Sequence, residues 1–274
     1  MSRITQVHRD FCSDINRARH LLELIKHLRG FGASERPSKQ GPKEAGWVEA
    51  VELWEAAKER RTDLPLISGS LVLYLAGRFE YFARQVVETV AEEMAESIAD
   101  YGSLPAVLRK ELKTRTLQIA ENPRRFGFEE TQADLFLLNL AQNLEGGESP
   151  PSIRINVVSV TDSNLKDRAL AELMKRVDLN SFWRDVGKQA RVKLFLQTRD
   201  DRETTAQAQA RLNGIMDQRN QIAHPTASTQ FPDPDQVLLM IEYLQVLAEV
   251  TAELAQIHLA AFVQAAAAED TEGE

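Results

Sequence analysis

The chain has 274 residues, a formal net charge of −8 from 33 basic and 41 acidic residues, and a single cysteine, Cys12. This length allows one large or two small domains, each with a substantial apolar core. One cysteine excludes a disulfide framework and a cysteine-rich zinc site, and the acidic total argues against a protein that coats nucleic acid through bulk charge. A cytoplasmic location without membrane contact is expected, because the N-terminus is polar and no uninterrupted apolar run approaches a membrane span.

Two helices are predicted before the main domain. Apolar residues recur at helical spacing over about residues 3–28, and glycines and prolines between residues 30 and 46 then predict a break. A second helix is predicted from Trp47 to Arg61, ending before Leu64-Pro65, since proline disfavours the α conformation of the preceding residue. Residues 1–61 are therefore expected to form an N-terminal helical extension.

The next predicted helix carries a long apolar stripe and is expected to be the central scaffold. The stripe begins after Ser70 and lasts about eight turns at helical spacing. Its members are Val72, Leu75, Phe79, Phe82, Val86, Val90, Met94 and Ile98. Shorter helical patterns follow over about residues 105–121 and 129–144. The β-branched run 153–160 allows a short strand, but without an obvious partner strand it is predicted to be an extended connection.

Serines and an aspartate mark the starts of the later helices. Ser163 is expected to cap a helix that runs to about Val177, and Ser181 to cap a short one. Asp233 is a natural N-cap, and Pro234 fits the first position of the last helix.

A long helix is also predicted over residues 201–223. Residues 62–268 are expected to form the main helical domain, and residues 269–274, with four acids, a solvated acidic tail.

No familiar cofactor motif occurs in the sequence. It lacks a phosphate-binding loop, a dinucleotide-binding glycine pattern, a zinc-binding His-Glu-x-x-His helix and a nucleophile elbow. Three histidines, His8, His20 and His27, lie on the first predicted helix, but His20 and His27 are about 10 Å apart along its axis. That separation is too long for one ion, so no metal and no cofactor are expected.

Arg219 and His224 are the remaining candidates for chemistry. Cleavage of a phosphodiester without metal needs a group that moves protons near neutral pH and a fixed cation that holds the phosphate as negative charge develops. Imidazole suits the first task, and the planar guanidinium suits the second. The two residue types together therefore favour phosphodiester chemistry.

Context distinguishes this pair from a chance spacing. Arg3 and His8 have the same separation, but they lie inside the first predicted helix. At Arg219 the helix is expected to stop, because Pro225 disfavours the α conformation of His224 and allows the imidazole to turn back towards the arginine. Asn220 is a poor residue for a helix interior, but its amide can orient a neighbouring side chain or a phosphate.

Arg219-Asn-Gln-Ile-Ala-His224 resembles the Arg-x(4-6)-His motif of the HEPN superfamily, including the polar residue that often follows the arginine. The helix with Phe79-Glu80 is similar to the early HEPN helix in which an acidic residue follows an aromatic one. The resemblance covers about residues 65–265 and is closest to the RiboL-PSP group. It implies an all-α, HEPN-like helical bundle, here with additional N-terminal helices.

The resemblance also implies a function and roles for residues. HEPN domains of this kind often form homodimers and cleave RNA through attack by the 2′-hydroxyl, in toxin–antitoxin or antiviral-defence systems. Arg219 would bind the phosphate, His224 would act as acid or base, and Asn220 would orient them. Glu80 is a further candidate, which either pairs with Arg219 or faces solvent. Related toxins carry a modifiable tyrosine two places after the histidine, whereas Pro225-Thr226 follows here, so silencing by that modification is not expected.

A locally basic segment offers a possible contact for RNA. Its cations are Arg109, Lys110, Lys113, Arg115, Arg124 and Arg125. Phe126 and Phe128 follow, so the segment combines charges for phosphates with rings for stacking a base. The alternative is an ordinary solvated helix face.

Two other functions remain open at this stage. One is a non-catalytic binding or scaffold module of a toxin–antitoxin or defence complex, in which Arg219 forms a structural ion pair with Glu80 or Asp217. The other is an accessory sensor that binds a nucleotide. Absence of RNA cleavage would favour the first, and a nucleotide retained through purification would favour the second.

Overall fold

The computed structural model describes residues 2–37, 47–59, 63–146, 149–161 and 164–272. Within these ranges it contains eleven α-helices, two short 3-10 helices and no β-strand, which confirms the all-α prediction. The α-helices are α1 (Arg3–Ala33), α2 (Trp47–Glu59), α3 (Leu64–Glu96), α4 (Ala106–Glu121), α5 (Glu130–Leu144), α6 (Ile155–Ser159), α7 (Asp167–Lys175), α8 (Phe182–Lys188), α9 (Ala190–Leu196), α10 (Asp201–Ala223) and α11 (Pro234–Glu272).

The chain forms two compact units, each built from separate segments. The first contains Met1–Phe11, Phe79–Gly214 and Val246–Glu274, and the second contains Cys12–Arg78 and Ile215–Gln245. The division predicted from the sequence, with boundaries after residues 61 and 268, stays a prediction.

Aromatic rings form one part of the core of the first unit. The ring of Phe11 lies 4.9 Å from that of Phe82 and 6.1 Å from that of Phe79, between ring centres. All three side chains are almost fully buried. A second apolar cluster joins α4, α5 and α6 through Ile119, Ala133 and Val157. The stripe predicted on α3 is buried throughout, as its pattern requires.

Residues 153–160 differ from the prediction, because Ile155–Ser159 forms the short helix α6 instead of an extended connection. The buried guanidinium of Arg176 donates through Nη1 to the carbonyl oxygens of Val158, at 2.7 Å, and Val160, at 2.6 Å. A distant side chain thereby satisfies two carbonyls at the end of the helix. The carboxylate of Glu88 also accepts a hydrogen bond from the Ser159 hydroxyl.

The starts of α7 and α8 also differ from expectation. Ser163 lies outside the described residues, and α7 begins at Asp167, whose backbone N–H donates to Oδ1 of Asn213 at 2.9 Å. Ser181 does precede α8, but its hydroxyl accepts from Arg184 at 2.6 Å and does not cap the helix. The helix α9 was not predicted.

In the second unit, α1 continues to Ala33 through the glycines that were expected to end it. A Cβ atom at Gly32 would lie 2.8 Å from the backbone carbonyl carbon of Ala57, so α2 approaches α1 too closely for any side chain there. Trp54 fixes the same contact by donating from Nε1 to the Ser34 carbonyl at 3.1 Å. Gly32 is therefore a packing residue and not a helix terminator.

The last two long helices lie where the sequence predicts them. α10 ends at Ala223, and α11 begins at Pro234. Among the described residues α11 is the one helix that is long and apolar enough, over Pro234–Ala268, to cross a membrane by length and composition alone. Core helices of soluble proteins pass the same test, and Val237, Ile241 and Leu244 of α11 are fully buried.

The acidic tail expected from residue 269 is helical as far as the structure describes it, since α11 continues to Glu272. Four consecutive alanines, Ala265–Ala268, precede it. Alanine has the highest helix propensity, so the helix extends past its last buried apolar residue.

Burial of His8 generates a pH dependence of stability. Burial lowers the pKa of the His8 imidazole below its ordinary 6.5, with Glu253 opposing and Arg191 adding to the shift. The unfolded chain therefore binds this proton more readily, and the stabilising contribution present above pH 6.5 is lost as the pH falls through the folded-state pKa.

We expect His8→Gln to reduce the loss of stability between pH 7.5 and 5.5. The measurement is urea unfolding of both proteins at the two pH values. An equal loss in wild type and variant would contradict the assignment of this part of the pH dependence to His8.

Candidate active site

The end of α10 carries the motif that the sequence analysis selected. Arg219 immediately precedes the last turn, Asn220 begins it, and His224 is the first residue after the helix. The backbone N–H of His224 still donates to the Asn220 carbonyl at 3.0 Å, so the helical hydrogen bonding extends one residue past Ala223. His224 and Pro225 are exposed. The second unit thus presents the imidazole to solvent from a fixed helix end.

The guanidinium of Arg219 is half-buried and contacts the neighbouring amide. Its Nη1 donates to Oδ1 of Asn220 at 3.2 Å. In the described part of the second unit Arg219 forms no ion pair, so its nearest polar partner there is neutral. A cation held by an amide keeps its charge uncompensated, which suits attraction of a phosphate.

The segment between His224 and α11 is fixed by its own hydrogen bonds at one end. The backbone N–H of Thr226 donates to the Thr229 hydroxyl at 2.7 Å, and the Thr229 N–H donates to the Thr226 carbonyl at 3.0 Å. These two bonds close a compact turn immediately after His224-Pro225. The turn limits the positions that the imidazole-bearing residue can adopt.

At the other end, Asp233 is the N-cap of α11 as predicted. Its carboxylate accepts from the backbone N–H of Asp235 at 3.3 Å, and the Gln236 side chain accepts in return from the Asp233 N–H at 3.0 Å. The same carboxylate accepts from Nη1 of Arg29 at 2.6 Å. The bond from Arg29 lowers the pKa of Asp233, and the backbone bond adds to the effect. The cap is therefore charged at neutral pH.

Phe231, near the end of this connection, anchors it on α3. A Cβ atom at Gly69 would lie 2.3 Å from Cδ1 of Phe231, so the ring rests directly on the helix backbone. Gly69, Phe231 and Arg29 were not among the residues predicted from the sequence. No local pattern identifies them, because each acts on a residue far away in the chain.

Glu80 lies in the first unit and is half-buried on α3. Its Oε1 accepts a hydrogen bond from the backbone N–H of Leu165 at 3.2 Å. The carboxylate therefore has a structural partner that neither predicted alternative included. Its role in catalysis stays a prediction.

The basic segment, also in the first unit, is divided among several environments. Arg109, Lys110 and Lys113 line one cavity. Arg115 lies 3.5 Å from the Glu111 carboxylate, and Arg125 lies over the Phe126 ring. Phe126 and Phe128 pack against the second apolar cluster, and Phe128 contacts Phe136 edge to face, with ring centres 5.1 Å apart. These two rings are thus partly occupied by core packing instead of being fully available for stacking bases.

The titratable residues of the described ranges do not form a metal site. No group of three or more histidine, cysteine, aspartate or glutamate side chains is placed there to hold an ion. The half-buried thiol of Cys12 has a pKa raised by burial. This favours the neutral thiol over the thiolate that metals and electrophiles require.

Comparison with known proteins gives one match. A family model described as RiboL-PSP-HEPN matches residues 52–256, which is about three quarters of the chain. No curated protein and no solved structure matches. The matched range includes α3, α10 and most of α11, and with them Glu80, Arg219 and His224.

We expect Gly69→Ala to destabilise the protein, because the new methyl group would overlap the Phe231 ring that anchors the connection to α11. Overpacking of this kind costs about 1–3 kcal/mol. Gly77→Ala is the matched control on the same helix, since Gly77 is exposed and has open space around it. Replacing a helical glycine without a clash stabilises by about 0.5–1 kcal/mol. Urea unfolding measures both, and equal stability of the two variants would contradict the anchor.

Proposed function

The chain belongs to the RiboL-PSP-HEPN family, and from this membership we propose that it is a metal-independent endoribonuclease. HEPN domains have nuclease-like or RNA-related functions, generally bind RNA and often dimerise. The observation that carries the proposal is the end of α10, where a half-buried arginine held by a neutral amide precedes an exposed histidine by five residues. These are the two groups that cleavage without metal requires.

The proposed reaction is an internal transfer at phosphorus. The 2′-hydroxyl oxygen of the substrate attacks the adjacent phosphorus, and the bond from phosphorus to the 5′-oxygen breaks. A 2′,3′-cyclic phosphate and a 5′-hydroxyl result. The 2′-hydroxyl loses one proton and the leaving oxygen gains one, so no water or other reactant is consumed.

Each residue of the motif has a role in this scheme. His224 moves a proton to or from the reacting oxygens, as base or acid. Arg219 binds the phosphate and stabilises the charge that develops on it, and Asn220 holds the guanidinium through the bond at 3.2 Å. Arg219 and Asn220 stay in place because they belong to a regular helix, whereas His224 lies just outside it.

We expect the purified protein to cleave RNA in the presence of EDTA and His224→Ala to lose at least about a hundredfold in rate, a usual contribution of acid–base catalysis. Arg219→Ala should lose activity as well, and Arg219→Lys should recover part of it, because lysine keeps the charge without the planar fork. Analysis of product ends should find cyclic phosphate. Cleavage by His224→Ala at the wild-type rate would exclude this mechanism.

Two further variants sharpen the measurement. His20→Ala removes an exposed histidine of the same unit and should cleave normally. Glu80→Gln keeps an acceptor for the Leu165 N–H but removes the charge, so reduced cleavage with unchanged folding would support a catalytic role of the carboxylate.

We also propose a homodimer, for which light scattering should give about twice the 30.8 kDa of one chain. A monomeric mass with full cleavage would contradict the dimer.

We propose, from the resemblance of the motif and its context, that the enzyme acts in the cytoplasm as a toxin or antiviral-defence effector, with an antitoxin or defence-system protein as partner. Expression of the wild type should then arrest bacterial growth, and His224→Ala should not. Arrest by both proteins would instead favour a non-catalytic binding module. Growth curves after induction, at matched protein levels, distinguish these outcomes.

A further inference from the structure

A cavity of about 480 Å³ lies in the first unit, between the start of α4 and the end of α5. Its polar lining consists of Asp100, Tyr101, Arg109, Lys110, Lys113 and Asn143. A volume of this size is typical of sites for small molecules. The cavity therefore has room for a ligand as large as a mononucleotide.

Tyr101 lines this cavity and carries a buried hydrogen-bond donor. The side chain is 7% exposed, and its buried hydroxyl has no hydrogen-bond partner among the described residues. Buried polar groups in folded proteins nearly always have a partner in the protein, in water or in a ligand. Burial raises the pKa of the Tyr101 hydroxyl, while the nearby charge of Arg109 opposes the shift. The hydroxyl is therefore protonated at neutral pH and able to donate.

Positive charge dominates the side chains that line the cavity. Arg109, Lys110 and Lys113 lie in the first two turns of α4, and none of them forms an ion pair with a described residue. Nε of Arg109 donates to the Leu104 carbonyl at 3.1 Å, which fixes its guanidinium. No side chain caps the N-terminus of α4 at Pro105, so the positive end of the helix adds to the field of the cations.

The one carboxylate of the lining is already engaged. Oδ2 of Asp100 accepts from the backbone N–H of Gly102 at 3.0 Å and caps the short 3-10 helix Tyr101–Ser103. Asn143 is also held, since its Nδ2 donates to the Ser152 carbonyl at 2.7 Å. Both bonds fix walls of the cavity in place and leave the three cations as its dominant charge.

We propose that this cavity binds a phosphate monoester, carried by a 5′-mononucleotide or by the 5′ end of an RNA chain. Three cations and one carboxylate give the lining a formal charge of +2. This matches a monoester, whose charge approaches −2 at neutral pH, better than a singly charged diester of the RNA backbone. Arg109, Lys110 and Lys113 contribute charge-assisted hydrogen bonds to the phosphate oxygens.

The probe is a short 2′-O-methyl oligoribonucleotide with fluorescein at its 3′ end and either a phosphate or a hydroxyl at its 5′ end. It has no 2′-hydroxyl, so it cannot be cut by the proposed reaction. Fluorescence anisotropy with the full-length protein should give about tenfold tighter binding, or more, for the 5′-phosphate form, which corresponds to about 1.4 kcal/mol. Equal binding of the two forms would overturn the proposal.

Variants assign the binding to the cavity. Lys110→Ala with Lys113→Ala should abolish the preference for the 5′-phosphate, whereas Arg124→Ala should keep it, because Arg124 is an exposed member of the same basic segment outside the lining. An unchanged preference in the double variant would overturn the assignment.

Competition identifies the source of the phosphate. If uridine 5′-monophosphate displaces the probe as well as an unlabelled 5′-phosphorylated oligonucleotide does, the ligand is a mononucleotide. If only the oligonucleotide does so, the ligand is an RNA end. His224→Ala should keep the preference for the 5′-phosphate, so the binding proposal and the cleavage proposal can fail separately. Loss of this preference in His224→Ala would contradict binding of the 5′-phosphate in the cavity.

Discussion

Burial of the apolar stripe along α3 is the constraint on which the structure depends most. The helix spans Leu64–Glu96, and its stripe side chains from Val72 to Met94 are fully buried. Burying a large apolar side chain contributes about 1.5–3 kcal/mol, so this one helix accounts for a large share of the stabilisation. One of its two glycines has a separate use, because Gly69 lets Phe231 rest on the helix backbone. The same helix therefore supports both the core and the connection that follows His224.

Elements with local signals were predicted well. The stop at Ala223 follows from Pro225, and the start at Pro234 follows from the cap Asp233, because both depend on residues within one turn of the boundary. Elements that depend on distant partners were not predicted well from the sequence. The β-branched residues of α6 are helical because Arg176 satisfies the end of that helix, and α1 passes through Gly32 because α2 packs there. Tertiary contacts overrode local propensity in both cases.

The candidate site shows the same difference between contacts of sequence neighbours and contacts of distant residues. The contact between Arg219 and Asn220 joins neighbours in sequence, so residue types and spacing were enough to suggest it. The bond from Arg29 to Asp233 joins residues about two hundred positions apart, and nothing in either local sequence indicates it. Likewise the basic segment looked uniform in sequence, whereas folding places only part of it in a cavity beside Tyr101. Sequence identified the chemical groups, and the fold determines which of them share an environment.

The connection between His224 and Phe231 has an evolutionary consequence. It is fixed at one end by α10 and at the other by the ring on Gly69, while most residues from Pro225 to Gln230 are exposed. Substitutions in this short stretch meet solvent and little packed volume, so they cost little stability. Selection can therefore vary the surface beside the exposed histidine while the two anchored ends stay constant.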